Sequence, residues 1–134
     1  MTISLSSLNT GFYAGNTGPQ GTKGDKGEFV ALSVNQQTDT TYSLVSSDAF
    51  KVVTFANTSA VTVTVPTNDS QPFANGTTIH FVQTGAGQVT FTNTGSSSVL
   101  LNATPGLKFR AQYSSASLIN LGTNNWVLVG DLSA

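Results

Sequence analysis

The chain has 134 residues, of which only 8% are charged: five Lys and Arg against six Asp and Glu, with one His and a net charge of -1. Soluble domains usually carry about 25% charged residues, so the polar surface must be built from Ser, Thr, Asn and Gln, and no basic footprint for nucleic acid is present. The absence of cysteine excludes disulfides, thiolate metal sites and cysteine nucleophiles.

Residues 1–14 place Ile3, Leu5, Leu8, Phe12 and Tyr13 among small polar residues without a helical or strand period. This composition suits an anchoring segment that orders on a partner surface. A disordered terminus with incidental apolar residues is the alternative. The start lacks the positive charge and long apolar stretch of a secretory signal, and no later run approaches 18 apolar residues. The expected product is therefore made and left in the cytosol, without membrane insertion.

Residues 15–29 follow a stricter rule. Gly15, Gly18, Gly21, Gly24 and Gly27 fall at every third position of GNTGPQGTKGDKGEF. A collagen triple helix requires this period because only glycine fits at its shared axis. Pro19 occupies a variable position where its fixed φ suits the extended strand. Lys23 and Lys26 precede glycines, and Asp25 and Glu28 follow them, so staggered neighbouring chains can form interchain ion pairs at two levels. Being exposed, each pair contributes at most about 1 kcal/mol. A flexible Gly-rich linker is the alternative reading, but a linker has no need of the period. The run would span about 45 Å at ~3.1 Å per residue, too little to hold three chains unaided. A homotrimer is expected, held by the 105 residues that follow.

From Phe29 onward the apolar residues adopt a period of two. Val61, Val63 and Val65 alternate with threonine, as do Val89 and Phe91; Ile79 and Phe81 oppose His80 and Val82; Leu107, Phe109, Ala111 and Tyr113 alternate with polar residues. Trp126–Val129 is a continuous apolar run, compatible with a strand buried on both sides. Turn signals recur at 66–69, 75–76, 85–87, 94–96, 104–106 and 122–125. The expected fold is all-β, an antiparallel, jelly-roll-like β-sandwich head of about eight strands over 30–134.

Candidate chemistry is sparse. His80 has no local serine, cysteine or carboxylate spaced to form a nucleophile–base pair. It reads as a strand residue at a subunit interface, or as one of three copies holding an ion on a threefold axis. Asp39, Asp48, Asp69 and Asp131 are scattered in turn-like contexts. Tyr42, Phe73, Tyr113 and Trp126 are the aromatics that could stack on sugar, with core roles preferred. No catalytic residue, metal ligand or cofactor site is assigned.

The segments AVTVTVP, NGTTIHFVQTGAGQVTF and LKFRAQYSSASLINLGTNNWVLVGDLS, within residues 50 to 134, resemble a module of bacteriophage virion proteins found in short fibres and capsid decorations. The resemblance implies a β-rich, homotrimeric, non-enzymatic structural protein, and it transfers no functional residue. Collagen followed by a β-domain is also similar to complement and tumour-necrosis-factor-like heads, but the missing signal and short repeat argue against a secreted member. The expectation is a protein assembled in the host cytoplasm and carried on the virion surface. Residues 1–14 would anchor it to the major capsid protein or another virion protein, residues 15–29 would form the stalk, and residues 30–134 the head. The alternative is a tail-fibre tip that recognises a host surface glycan.

Overall fold

A computed structural model describes residues 30–95 and 98–134, and Leu32–Ala134 form one compact unit. The class is all-β, with a single 3-10 turn at Ser46–Asp48 among the described residues. The chain alternates between two sheets. Strands β1 (Val34–Gln37), β3 (Val52–Phe55) and β5 (Thr78–Gln83) enter the first; β2 (Thr41–Ser43), β4 (Val61–Val65) and β6 (Val89–Asn93) enter the second.

Each strand stacks in parallel on its counterpart one coil earlier. Val34, Val52 and His80 share one register in the first sheet, and Thr41, Thr62 and Thr90 share one in the second. This is a two-sheet β-solenoid of three coils, not the expected antiparallel sandwich. Valine–threonine alternation reports that one strand face is buried, but it carries no information on the direction of the neighbouring strand. Turns every 8 to 12 residues fit a hairpin stack and a two-strand coil equally well. Successive coils advance by unequal lengths, with β1, β3 and β5 starting at 34, 52 and 78, so no internal repeat is visible in the sequence.

The corners hold the stack. Where the chain leaves the first sheet, the Asn57 side-chain amide donates to Thr38 O at 2.7 Å, Gly87 N donates to Asn57 O at 2.8 Å, and Gln112 Nε2 donates to Thr84 O at 2.9 Å. A Cβ on Gly85 or Gly87 would collide with the backbone of Asn57 or Ser59, so the glycines are needed for close approach of adjacent coils. Buried Gln83 closes the same corner, donating to Gly85 O and accepting from Val89 N.

Between the sheets runs an aromatic column. Tyr42, Phe55, Phe81, Phe91 and Phe109 contact in succession, with ring centroids 4.9 to 6.1 Å apart. Each such pair adds about 0.5–1.5 kcal/mol beyond area burial. Valines from β3, β4 and β6 fill the remaining space, as β-branched residues do on a pleated surface.

The last third of the chain departs from the solenoid path. Strand β7 (Leu100–Ala103) keeps the parallel direction but sits at the far edge of the first sheet, and the hairpin β9 (Ser115–Gly122)–β10 (Asn125–Gly130) fills the space between it and β5. Strands β8 (Lys108–Phe109) and β11 (Leu132–Ser133) extend the second sheet antiparallel. Two sequence expectations fail here. The alternation from Leu107 to Tyr113 ends as a strand at Phe109, because a turn follows in which Ser114 N bonds Ala111 O at 3.0 Å. In β10, Trp126 and Leu128 are buried while Val129 is exposed, so the run is buried on one side only.

Candidate interaction surface

The two outer faces of the solenoid differ in chemistry. On the second sheet the outward residues of β2, β4 and β6 are Thr41 and Ser43, Thr62 and Thr64, and Thr90 and Thr92, stacked in register. On the first sheet one transverse row reads Val34, Val52, His80, Ser117, Val129, and another reads Thr78, Ile119, Val127, Asn102. Val82 stands in a third row with Gln36, Thr54 and Ser115. None of the six strands of the first sheet contains a Lys, Arg, Asp or Glu. Val34 and Val129 are 64% and 53% exposed, and Leu100 at the β7 edge is 56% exposed.

His80 stands near the middle of this face. Its Nδ1 is 2.8 Å from Ser117 Oγ on the adjacent strand, which leaves Nε2 with no partner among the described residues. No group of three or more His, Cys, Asp or Glu occurs among the described residues. At the β7–β10 edge, an open groove of about 470 Å³ is lined by Asn102, Ala103, Thr104, Val127 and Val129 with Leu128 and Gly130.

Two aromatics flank the sheet at opposite ends of β5. Phe50 N bonds Thr78 O at 2.9 Å, and Tyr113 N bonds Gln83 O at 2.6 Å. Both residues adopt left-handed φ, 60° and 71°, and both are exposed, Tyr113 by 71%. For bulky side chains this backbone costs on the order of 1–2 kcal/mol. Of the other aromatics, Trp126 and Phe73 are buried against one another at 5.2 Å, and Tyr42 is half-buried against Phe55. A core role therefore holds for Phe73, Trp126 and Tyr42, and fails for Tyr113.

Two of the described acids, Asp48 and Asp131, anchor hydrogen-bond networks. Asp48, 1% exposed, accepts from Tyr42 Oη at 2.7 Å, Asn35 Nδ2 at 3.0 Å and Val45 N at 3.0 Å. Gln37 donates to Asn35 Oδ1 at 2.8 Å. This network is the polar inner layer of the first coil, next to the two edge strands β1 and β2. Burial, and then the bond to Asp48, push the Tyr42 hydroxyl up to about 12. At the other end Asp131 makes a two-pronged pair with exposed Arg110, 2.8 Å for each bond, and accepts from Ser114 Oγ at 2.7 Å. Arg110, and then Ser114, hold the Asp131 carboxyl below its ordinary value.

The proposed stalk and anchor residues, Gly15, Gly18, Gly21, Gly24 and Gly27, Lys23, Asp25, Lys26 and Glu28, and Ile3, Leu5, Leu8, Phe12 and Tyr13, lie outside the described residues. The aliphatic face is the feature that motif reading passes over. Its signal was present as adjacent apolar residues on one strand: Val52-Val53, Phe81-Val82, Leu118-Ile119 and Trp126 to Val129. Strands β4 and β6 of the second sheet alternate with threonine.

Fold and surface together define an all-β solenoid protein with one outer face lined by Thr and Ser and one that sets aliphatic residues among polar ones. No protein-family model, curated protein or solved structure matches the chain. Among the described residues no helix is long and apolar enough to cross a membrane.

Proposed function

We propose that this chain is a non-enzymatic structural protein of a bacteriophage virion, a homotrimeric capsid decoration or head fibre. Residues 1–14 anchor it to the major capsid protein or another virion protein, residues 15–29 form a collagen-like stalk, and the β-solenoid is the projecting head. The observation that carries this reading is the five-glycine period, which has no use in a single chain. The head is consistent with it: a solenoid is locally reinforced along its length, and here its described acids at both ends serve in hydrogen-bond networks that close the coil. A threefold assembly also matches local threefold positions of an icosahedral shell.

Labelling of the protein on intact particles tests the location, and deletion of residues 1–14 tests the anchor. The deletion is expected to abolish particle binding and leave a soluble trimer; a truncated protein that still decorates particles refutes the anchor. The tail-fibre tip that recognises a host glycan is a second reading, favoured by one observation, the exposed Tyr113 side chain carried on a left-handed backbone. Binding of the protein on a glycan array, lost in Tyr113→Ala, would favour that reading over decoration.

A further inference from the structure

We infer that the outer face of the first sheet, which carries Val82, Ile119 and Val127 in the rows on either side of His80, is the surface on which the three copies of this chain pack. The inference rests on the trimeric reading and names the face that reading requires. Six strands spaced about 4.8 Å apart, each presenting about 15 Å of length, make a face on the order of 400 Å². Its aliphatic residues share that area with Thr, Ser, Gln, Asn and His80, a mixed surface of the kind that partly polar interfaces present. The second sheet shows that this chain can build an outer face for water, since it does so with Thr and Ser in register. The first sheet instead places Val34, Val52, Val82, Ile119, Val127 and Val129 outside among Ser, Thr, Gln, Asn and His80, with no Lys, Arg, Asp or Glu in any of its strands.

A second copy is the occupant for two reasons. The glycine period ends at Gly27, only seven residues before Val34, and seven residues reach at most about 25 Å. Three chains leaving one triple helix therefore bring three copies of β1, the edge strand of the first sheet, close to one another. The face also falls short of the ~800 Å² per partner that a stable pair of free proteins buries. It suits partners already tethered, because a short tether supplies millimolar effective concentration. With one face per copy turned to a threefold axis, each copy touches both others and the ring closes. His80 Nε2, unpartnered among the described residues, then lies at the contact between copies.

The test is the solution mass of the full chain by sedimentation equilibrium, for the wild type and two pairs of variants. Val82→Lys and Val127→Lys place a charge on the first sheet's outer face; Thr62→Lys and Thr90→Lys do the same on the second. The wild type and the threonine variants are expected at three times the 13.9 kDa chain mass. The valine variants should fall to the single-chain mass with the β-sheet circular dichroism signal retained. Should a lysine variant fail to fold, Val82→Thr and Val127→Thr decide, since each gives the first sheet a residue the second already carries. These milder changes should raise the trimer dissociation constant at least tenfold. Valine variants that remain trimeric with wild-type concentration dependence overturn the assigned face and leave the trimer standing. A monomeric wild type overturns the trimer itself, and the face with it.

Discussion

The two outer faces of one solenoid share the same three coils and the same aromatic column behind them, yet one is lined by Thr and Ser and the other sets aliphatic residues among polar ones. Local propensity does not separate them, because valine, isoleucine and threonine all favour the pleated backbone. What separates them is the medium each must meet. A β-branched hydroxyl residue solvates a surface without charge, whereas a β-branched hydrocarbon gains about 25 cal/mol for each Å² removed from water. The contrast is the basis for proposing that the first sheet, and not the second, meets another copy.

The largest lesion should strike both faces equally. Phe81→Ala removes the ring between Phe55 and Phe91 and is expected to cost about 3–5 kcal/mol. Denaturant unfolding should show that loss at every protein concentration. Asp48→Ala should follow, at about 3 kcal/mol, because Tyr42 Oη, Asn35 Nδ2 and Val45 N lose a buried acceptor together. Hydrogen exchange should then localise the weakening to β1 and β2. An effect spread evenly over all strands would contradict the polar layer as an end cap.

A smaller effect is titratable. The raised Tyr42 value means that the folded state favours the neutral phenol. Its contribution is complete below the unfolded value near 10 and is lost as pH rises from there through about 12. Tyr42 is partly solvated, so screening reduces the loss to on the order of 1 kcal/mol. Unfolding curves across pH 9 to 12 should show the decline, and Tyr42→Phe should remove it. At the opposite end the lowered Asp131 value has the other sign: its contribution is present above the ordinary carboxylate range and is lost on acidification. Both partners are exposed, so Asp131→Asn should change only the low-pH limb of the stability profile, and by the least of these amounts.

Much of this structure was legible residue by residue. The strands around 61–65, 79–83 and 89–93, the burial of Ile79 and Phe81, and the turns at Asn75-Gly76 and Gly85-Ala86-Gly87 follow from alternation and turn chemistry. Strand direction was not legible, because a side chain's face does not depend on whether its neighbour runs parallel or antiparallel. The end cap was hidden for a different reason: Asn35, Gln37, Tyr42 and Asp48 are unremarkable polar residues until coiling brings them into one layer. Trp126 to Val129 is the most informative failure. Read as buried on both sides, it is buried on one within the copy, and its second side belongs to the face assigned to the trimer.

Hydroxyl-radical footprinting of the intact full chain tests that assignment most directly, since it reads aliphatic side chains one at a time in the native assembly. The account predicts that Val82, Ile119 and Val127 are protected, and that protection is lost on dilution below the trimer dissociation constant. Exposed aliphatics off this face, such as Val45, should react equally at all concentrations. Reaction of Val82, Ile119 and Val127 at a rate independent of concentration, in a sample whose mass is that of a trimer, would contradict it.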